Sequence, residues 1–231
     1  MKTKIISILS ILIVSLVLCV IFRITMQPIA FDEILAMEPN VLLDDEIPEK
    51  NNGDFIDPET DMYTYDITTY QELWDSADIV VTGTMVEHEQ LGKTVNSKIE
   101  IKDVLKGNVD DTSVYVFEPY YIRSYGRNYD CIAKHNYVPM QLEKDYTLFL
   151  HLEDAYKNGN QYNFVSDLYG KYPNKSNISL KIYEDEKERD FEDYMSYDCI
   201  IYITEENEVN REALDVYQSR YKEFFNYLAM Q

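Results

Sequence analysis

The sequence predicts a mainly β domain with flanking helices, built as a small antiparallel β-barrel behind an N-terminal transmembrane helix. Three observations lead to this prediction. Residues 5–22 form an uncharged apolar run, short segments rich in apolar and β-branched residues recur between 79 and 203, and amphipathic helical patterns lie on either side of those segments. The chain of 231 residues has room for one domain of ordinary size and an appendage.

The N-terminal apolar run predicts a membrane anchor over residues 1–25. Its 18 uncharged residues, 5–22, would span about 27 Å as a helix, which is close to the hydrocarbon thickness of a bilayer. Lys2 and Lys4 precede the run and an acid-rich segment follows it. The positive-inside rule therefore places the head in the cytoplasm and the rest of this single-pass protein outside the cell membrane.

Two other readings of this segment stay open. A cleaved signal peptide would have a shorter apolar region and a small-residue cleavage site, which this run does not offer. A lipoprotein signal would place a small residue before the modified cysteine, but Leu18 precedes Cys19. The uncleaved signal anchor is therefore the favoured interpretation.

Residues 26–66 are predicted to form an acidic tether. Between positions 31 and 66 there are 12 acids and a single base, Lys50, and turn-forming residues interrupt the segment. Such a charge favours an extended, largely irregular chain. Two short apolar runs, 34–35 and 41–43, leave open docking on the domain or on the membrane.

The folded domain is predicted over residues 67–231 and opens with a short helix. Thr69 and Glu72 have the spacing of a capping box. The apolar residues that follow recur at helical spacing over about three turns, up to Asp78.

Seven strands follow, and a closing helix ends the chain. Gly83, inside the first strand, indicates a bulge or a tight bend. The last strand is fully apolar, which favours a central or covered position. The predicted strands are 79–88, 95–101, 113–117, 146–152, 162–166, 178–182 and 199–203.

The closing helix carries an amphipathic stripe that includes Tyr217, Tyr221 and Phe224. We expect this stripe to cover the barrel. A helix that binds a partner is the alternative.

Short antiparallel strands between two helices are typical of a barrel of the OB type. The segments SADIVVTG (76–83), IEIKDVLKG (99–107), LEKDYTLFL (142–150) and LYGKY (168–172) occur in that order. This order resembles netrin-like barrels, which include the tissue inhibitors of metalloproteinases. It is more similar still to small exported barrels of Gram-positive bacteria with no assigned role.

The resemblance covers residues 76–183 and implies an OB-like barrel more than a function. The inhibitors of that family chelate the zinc of their target through a mature N-terminal cysteine. Here a tether and an anchor precede the domain, with no cysteine between Cys19 and Cys131. The inhibitory mechanism is therefore not expected.

Composition and motifs exclude several function classes. The chain has 42 acids against 21 bases, a formal charge of -21, which would repel nucleic acid. The sequence at 92–94 does not complete a phosphate-binding loop motif, and the sequence at 88–92 does not complete the motif of a zinc-protease helix. No G-x-S-x-G or C-x-x-C motif occurs. We therefore expect no enzyme activity, no cofactor and no metal site, with an envelope hydrolase of unrecognised site as an open alternative.

The two cysteines beyond the anchor, Cys131 and Cys199, permit two interpretations. Outside the cytoplasm, oxidising conditions would allow a disulfide between them. Two buried free thiols are the alternative.

One segment departs from the acidic background and is the predicted contact surface. Residues 119–137 carry five tyrosines and three basic residues against one acid. Tyrosine and arginine are enriched at binding hot spots. A long β-extension whose rings pack on the barrel is the alternative. The residues predicted to bind a partner are Tyr120, Tyr121, Arg123, Tyr125 and Arg127.

The sequence therefore predicts a membrane-anchored binding module at the cell envelope, with a protein partner favoured. A glycan- or cell-wall-binding module that uses the same tyrosines is the main alternative. An anchor-linked spacer without a ligand is another.

Overall fold

The computed structural model describes the chain in ten segments of the domain and in a few residues that precede it. The domain segments are 69–91, 94–125, 128–133, 137–152, 160–166, 169–175, 178–184, 191–203, 217–219 and 221–224, and the preceding residues are 15, 33–34, 36–37 and 39–43. The predicted anchor at 5–22 lies outside them except for Ser15, as does most of the predicted tether. Among the described residues, no helix combines the length and the apolar character needed to cross a membrane.

The described residues are mainly β. Helix α1 spans Tyr70–Ser76 and helix α2 spans Phe191–Met195, and residues 217–219 and 221–224 are also helical. The strands are β1 (Asn40–Leu43), β2 (Ile79–Leu91), β3 (Thr94–Lys106), β4 (Ser113–Tyr125), β5 (Asn128–Ala133), β6 (Asp145–Leu152), β7 (Gln161–Phe164), β8 (Lys171–Pro173), β9 (Leu180–Glu184) and β10 (Cys199–Ile203).

The main sheet has the strand order β1-β5-β4-β3-β2-β6-β7, and it closes partly into a ring. Closure comes from β7, which pairs antiparallel with β6 and parallel with the first half of β4. Five strands, β2, β3, β4, β7 and β6, thus surround one core. The fully buried apolar side chains inside it include Val81, Met85, Val95, Ile99, Val114, Val116, Leu148, Leu150 and Phe164.

Helix α1 begins with the predicted capping box. The Thr69 hydroxyl accepts from the Glu72 amide, and the Glu72 carboxylate accepts from the Thr69 amide. The helix is shorter than predicted because Ala77 is already extended. The next amide, that of Asp78, donates to the Leu150 carbonyl and so leads into the sheet.

Gly83 lies at a β-bulge, as predicted. The register between β2 and β3 shifts between Thr82 and Gly83. A Cβ atom at Gly83 would lie 2.5 Å from the carbonyl oxygen of Glu100, which is too close for any other residue. The missing side chain lets the two strands approach each other where the sheet bends.

The last two predicted strands lie outside the barrel. Strands β9 and β10 pair with each other, in parallel, as a separate two-stranded sheet. Parallel strands need a crossover connection, and helix α2 lies between them in the chain. Asp198 fixes the start of β10, because its carboxylate accepts from both the amide and the hydroxyl of Ser179.

A second apolar cluster covers the outside of β6 and β8. Helix α1 contributes Leu73, and the helical residues at the C-terminal end contribute Tyr217, Tyr221 and Phe224. These side chains surround Phe149 and Tyr172, which point away from the ring. The C-terminal aromatic stripe therefore covers the barrel, as its spacing predicts.

We predict that Phe224→Ala lowers the free energy of unfolding by about 3–5 kcal/mol, since truncating a buried aromatic ring leaves a cavity. The ring is fully buried and lies 6.0 Å from the Phe149 ring and 5.9 Å from the Tyr172 ring, centroid to centroid. Urea denaturation measures the change. The neighbouring exposed residue provides the control, because Glu223→Ala should change the free energy by less than about 0.5 kcal/mol. Equal stability of the two variants would contradict the packing described here.

Candidate functional site

The predicted contact segment, 119–137, is largely a β-hairpin. The second half of β4 pairs antiparallel with β5, from Tyr120 opposite Ala133 to Tyr125 opposite Asn128. The last residue of β4 that pairs with β3 is Tyr121. Among the described residues, β4 pairs only with β5 beyond Tyr121, so the hairpin continues past the described part of the β2–β3 pair.

Tyr120 faces the core, which corrects the expectation that it contacts a partner. Its side chain is 2% exposed, and its ring stacks on the Tyr137 ring with centroids 6.3 Å apart. Side chains alternate along a strand, so Ile122 is buried on the same side as Tyr120. Tyr121 and Arg123 lie on the opposite side and are half-buried.

Arg123 is paired across the hairpin with the only acid of the segment. Its Nη2 donates to the Asp130 carboxylate at 3.0 Å, and the two residues are direct partners in the strand register. The Arg123 side chain keeps 22% of its exposure and Asp130 keeps 8%. Tyr125 is described only by its backbone, as the last residue of β4, and Arg127 lies outside the described residues.

A buried carboxylate, missed by the sequence analysis, holds the base of this hairpin. Glu118 immediately precedes the segment, and its side chain is fully buried. One carboxylate oxygen accepts from the Tyr137 hydroxyl at 2.8 Å and from the Met140 amide at 2.7 Å. The other accepts from the Ser97 hydroxyl on β3. Glu118 therefore ties the two ends of the segment to each other and to the barrel.

The signal for this network was present in the sequence. Glu118 is the only acid in β4, which is otherwise apolar, aromatic or weakly polar up to Arg123. Glutamate is rarely buried unless paired, so an acid in such a strand indicates a specific set of donors.

The Ser97, His88 and Glu118 side chains meet, but not in the order of a catalytic triad. His88 Nδ1 lies 3.0 Å from Ser97 Oγ and 3.5 Å from a Glu118 oxygen. The Ser97 hydroxyl donates to the Glu118 carboxylate. A nucleophilic serine instead gives its proton to the histidine. With Ser97 fully buried, the arrangement anchors strands β2, β3 and β4 to one another.

Two further residues, Lys171 and Tyr194, hold the chain at the C-terminal end of the segment. Lys171 donates to the Val138 carbonyl, and its Nζ lies 4.0 Å from the centre of the Tyr137 ring. Tyr194, on α2, donates its hydroxyl to the Tyr137 carbonyl. Burial, reinforced by the nearby Glu118 charge, raises the pKa of the Tyr137 hydroxyl well above its ordinary value. Tyr137 therefore stays a neutral donor to Glu118.

Cys131 is a fully buried free thiol at the centre of β5. Burial first, and then the charges of Glu118 and Asp130, raise its pKa from 9.0 to about 12. This agrees with the free-thiol interpretation for Cys131. The side chain of Cys199 lies outside the described residues.

The outer edge of β5 carries a strand from the predicted tether. Strand β1 pairs with β5 in parallel, from Asn40 opposite Asp130 to Leu43 opposite Ala133. Val41 and Ile34 are buried in the main core cluster. The tether is therefore not irregular throughout, and its two short apolar runs mark the places where it docks on the domain.

No group of three or more histidine, cysteine, aspartate or glutamate side chains is placed to hold a metal ion within the described segments. Comparison with protein-family models and with curated proteins gives no match to this chain.

We predict that Glu118→Gln lowers the free energy of unfolding by about 1–3 kcal/mol. An amide offers one acceptor oxygen where the carboxylate offers two, so at least one of the donors Ser97, Tyr137 and Met140 loses its buried acceptor. Urea denaturation gives the total change, and hydrogen exchange at the Met140 amide gives the local one. The matched control, Glu100→Gln on the exposed face of β3, should leave both unchanged. Equal free energies of unfolding for Glu118→Gln and Glu100→Gln would contradict the role of Glu118 described here.

We also predict that Cys131 reacts with a chromogenic disulfide reagent about a thousandfold more slowly in the native chain at pH 8 than in urea, since the thiolate is the nucleophile. The chain would carry Cys19→Ser and Cys199→Ser so that one thiol remains.

The raised pKa also makes the folded state lose stability between pH 9.0 and about 12, where the unfolded thiol ionises and the folded one does not.

The Cys131→Ala variant of that chain is the control for the pH effect. Its stability should fall less steeply over the same interval, because only the contribution of this thiol is removed. Reaction of the native chain as fast as the unfolded one, or identical pH profiles, would contradict the burial of Cys131.

Proposed function

We propose that this chain is a membrane-anchored, extracytoplasmic binding module that holds a protein partner at the cell envelope through the β4–β5 hairpin. The observation that carries the proposal is the hairpin itself, which continues past the barrel and has both ends fixed by Glu118. The anchor at 5–22 and the outward orientation come from the sequence and form part of the proposal.

An OB-like barrel is the scaffold in this proposal. Five strands form the ring, β4 and β7 close it in parallel, and β5 lies in the connection between β4 and β6. This is compatible with the partly open, five-stranded Greek-key barrel of the OB type. The hairpin is then an elaboration of one connection, where binding surfaces commonly develop on a rigid scaffold.

A fixed base favours binding because less conformational freedom is lost when a partner docks. Tyr137 is held by Glu118 through its hydroxyl, by Tyr194 through its carbonyl and by Lys171 through its ring. Tyr120, on β4, adds a stacked ring. The hairpin is thus presented from a packed base.

The proposed contact face carries Tyr121 and Arg123. Both are half-buried on the side of β4 opposite the core. Arg123 is held in place by Asp130, which sets the direction of its guanidinium group. An oriented arginine beside a tyrosine is typical of the anchor residues of protein interfaces.

Crosslinking capture with the full-length chain on native envelopes tests the proposal. We expect one envelope protein to be enriched, and Tyr121→Ala/Arg123→Gln to reduce its capture at least about tenfold. Glutamine at position 123 keeps a donor for Asp130. The matched control is Tyr115→Ala/Lys98→Gln, which removes a tyrosine at the other end of β4 and the β3 cation that lies over its ring.

Undiminished capture by the hairpin variant, with its melting temperature unchanged, would exclude this face as the contact surface. The chain could instead retain wall polymer. If wall fragments compete with that retention and salt does not reduce it, the glycan-binding alternative is favoured.

A further inference from the structure

A histidine side chain lies beside the carboxylate that holds the base of the hairpin. His88, on β2, is the register partner of Ser97 on β3, and its Nδ1 lies 3.5 Å from a carboxylate oxygen of Glu118 on β4. The His88 side chain is 2% exposed and that of Glu118 is fully buried. The imidazole and the carboxylate therefore face each other almost out of contact with water.

A second proton on this imidazole places a positive charge next to the carboxylate. Opposite charges attract more strongly in a protein interior than in water, because less solvent screens them. The carboxylate is buried whether or not His88 carries that proton, so only the hydration of the imidazolium is lost in addition. Hydrogen bonds from Tyr137 and Met140 keep the carboxylate in place. The geometry therefore favours the protonated imidazole.

The groups that surround this pair do not change their charge in the range where an imidazole titrates. Burial raises the pKa of the Tyr137 and Tyr146 hydroxyls and of the Cys131 thiol, so these groups stay neutral between pH 5 and 8. The described charged groups nearby include Lys171 over the Tyr137 ring, the ion pair of Arg123 with Asp130, and the exposed Glu87 and Glu89 that flank His88 in β2.

We propose that the pair of His88 and Glu118 makes the base of the hairpin pH-dependent, since proton uptake by His88 tightens the base and proton loss loosens it. In the protonated state an ion pair joins β2 to β4 at the point where Glu118 accepts from Tyr137 and Met140. The base is held most firmly below about pH 6.5, the ordinary value for an imidazole, and less firmly as the pH rises through the native titration of His88. The inference rests on the proposed function, since it describes how the contact surface is regulated.

Titration of the His88 ring, followed by NMR on the full-length chain in detergent micelles, tests the pair directly. We expect the midpoint to lie at least about one pH unit higher in the native chain than in Glu118→Gln, whose amide carries no charge. His151 is the internal control, because its ring pairs with Asp78 and is 59% exposed, so its midpoint should be the same in both chains. Equal His88 midpoints, or a His88 ring that stays neutral down to pH 5, would overturn the proposal.

Hydrogen exchange at the Met140 amide shows whether the pair acts on the base of the hairpin. Protection, taken relative to the intrinsic exchange rate at each pH, should fall at least about fivefold from pH 6 to pH 8.5 in the native chain, as a midpoint raised by one unit requires. His88→Gln does not titrate in this range and should show no such fall. The matched control, His151→Gln, should behave as the native chain does.

A protection factor that falls equally in the native chain and in His88→Gln, or in neither, would overturn the role of His88. If His88→Gln does not fold, the comparison of ring titrations in the native chain and in Glu118→Gln still decides the proposal, because neither chain changes His88.

Capture on native envelopes at the same two pH values connects the pair to the partner. The native chain should capture more of the enriched protein at pH 6 than at pH 8.5, and His88→Gln should capture equal amounts at both. Equal capture by the native chain at both values would overturn the regulation.

The two proposals fail separately. A chain whose His88 titrates as expected and that captures no envelope protein at either pH would keep the pH-dependent base and refute the proposed function. Capture that depends on Tyr121 and Arg123, with the same His88 midpoint in the native chain and in Glu118→Gln, would keep the proposed function and refute the regulation.

Discussion

The buried carboxylate of Glu118 is the interaction on which the rest of this structure depends. A carboxylate removed from water is unfavourable unless donors replace its hydration. Its donors are Ser97 on β3, and Tyr137 and Met140 in the stretch between β5 and β6. The hydrogen bonds of this one carboxylate therefore fix three parts of the chain relative to one another.

The same constraint holds the hairpin at its base. A hairpin that extends past its sheet would ordinarily open from its base, because a pair of strands alone is only marginally stable. Here the base is tied by charge-assisted hydrogen bonds, which are stronger than neutral ones. Strand β1 then covers the outer edge of β5 and buries Val41 beside Cys131. Together the two features fix the hairpin at its base and along its outer edge.

Much of the candidate site could not be predicted from the sequence, for an identifiable reason. The enrichment of tyrosine in 119–137 does not distinguish a ring that faces a partner from one that faces the core. Strand alternation decides this, so Tyr120 packs inside while Tyr121 lies on the other side. Alternation can be used only once the strand and its buried face are known. The predicted strand ends at residue 117, so Tyr120 and Tyr121 lie beyond it.

Local chemistry determined what the sequence could establish by itself. Three predicted features depend only on neighbouring residues in the chain, and each is confirmed. They are the capping box of Thr69 and Glu72, the bulge at Gly83, and the aromatic stripe through Tyr217, Tyr221 and Phe224. The mainly β character of the domain follows in the same way from patterns within short segments.

Tertiary structure alone decided the partners of those segments. Strand β1 belongs to the sheet although the charge of its segment predicts an irregular tether. Strands β9 and β10 lie outside the barrel and pair with each other. These outcomes depend on contacts between residues far apart in sequence. A local pattern shows that a segment will be buried, but it does not show which segment will pack against it. The donors of Glu118 are such contacts, because Ser97, Tyr137 and Met140 lie 19 to 22 residues from it in the chain and meet it only in the folded domain.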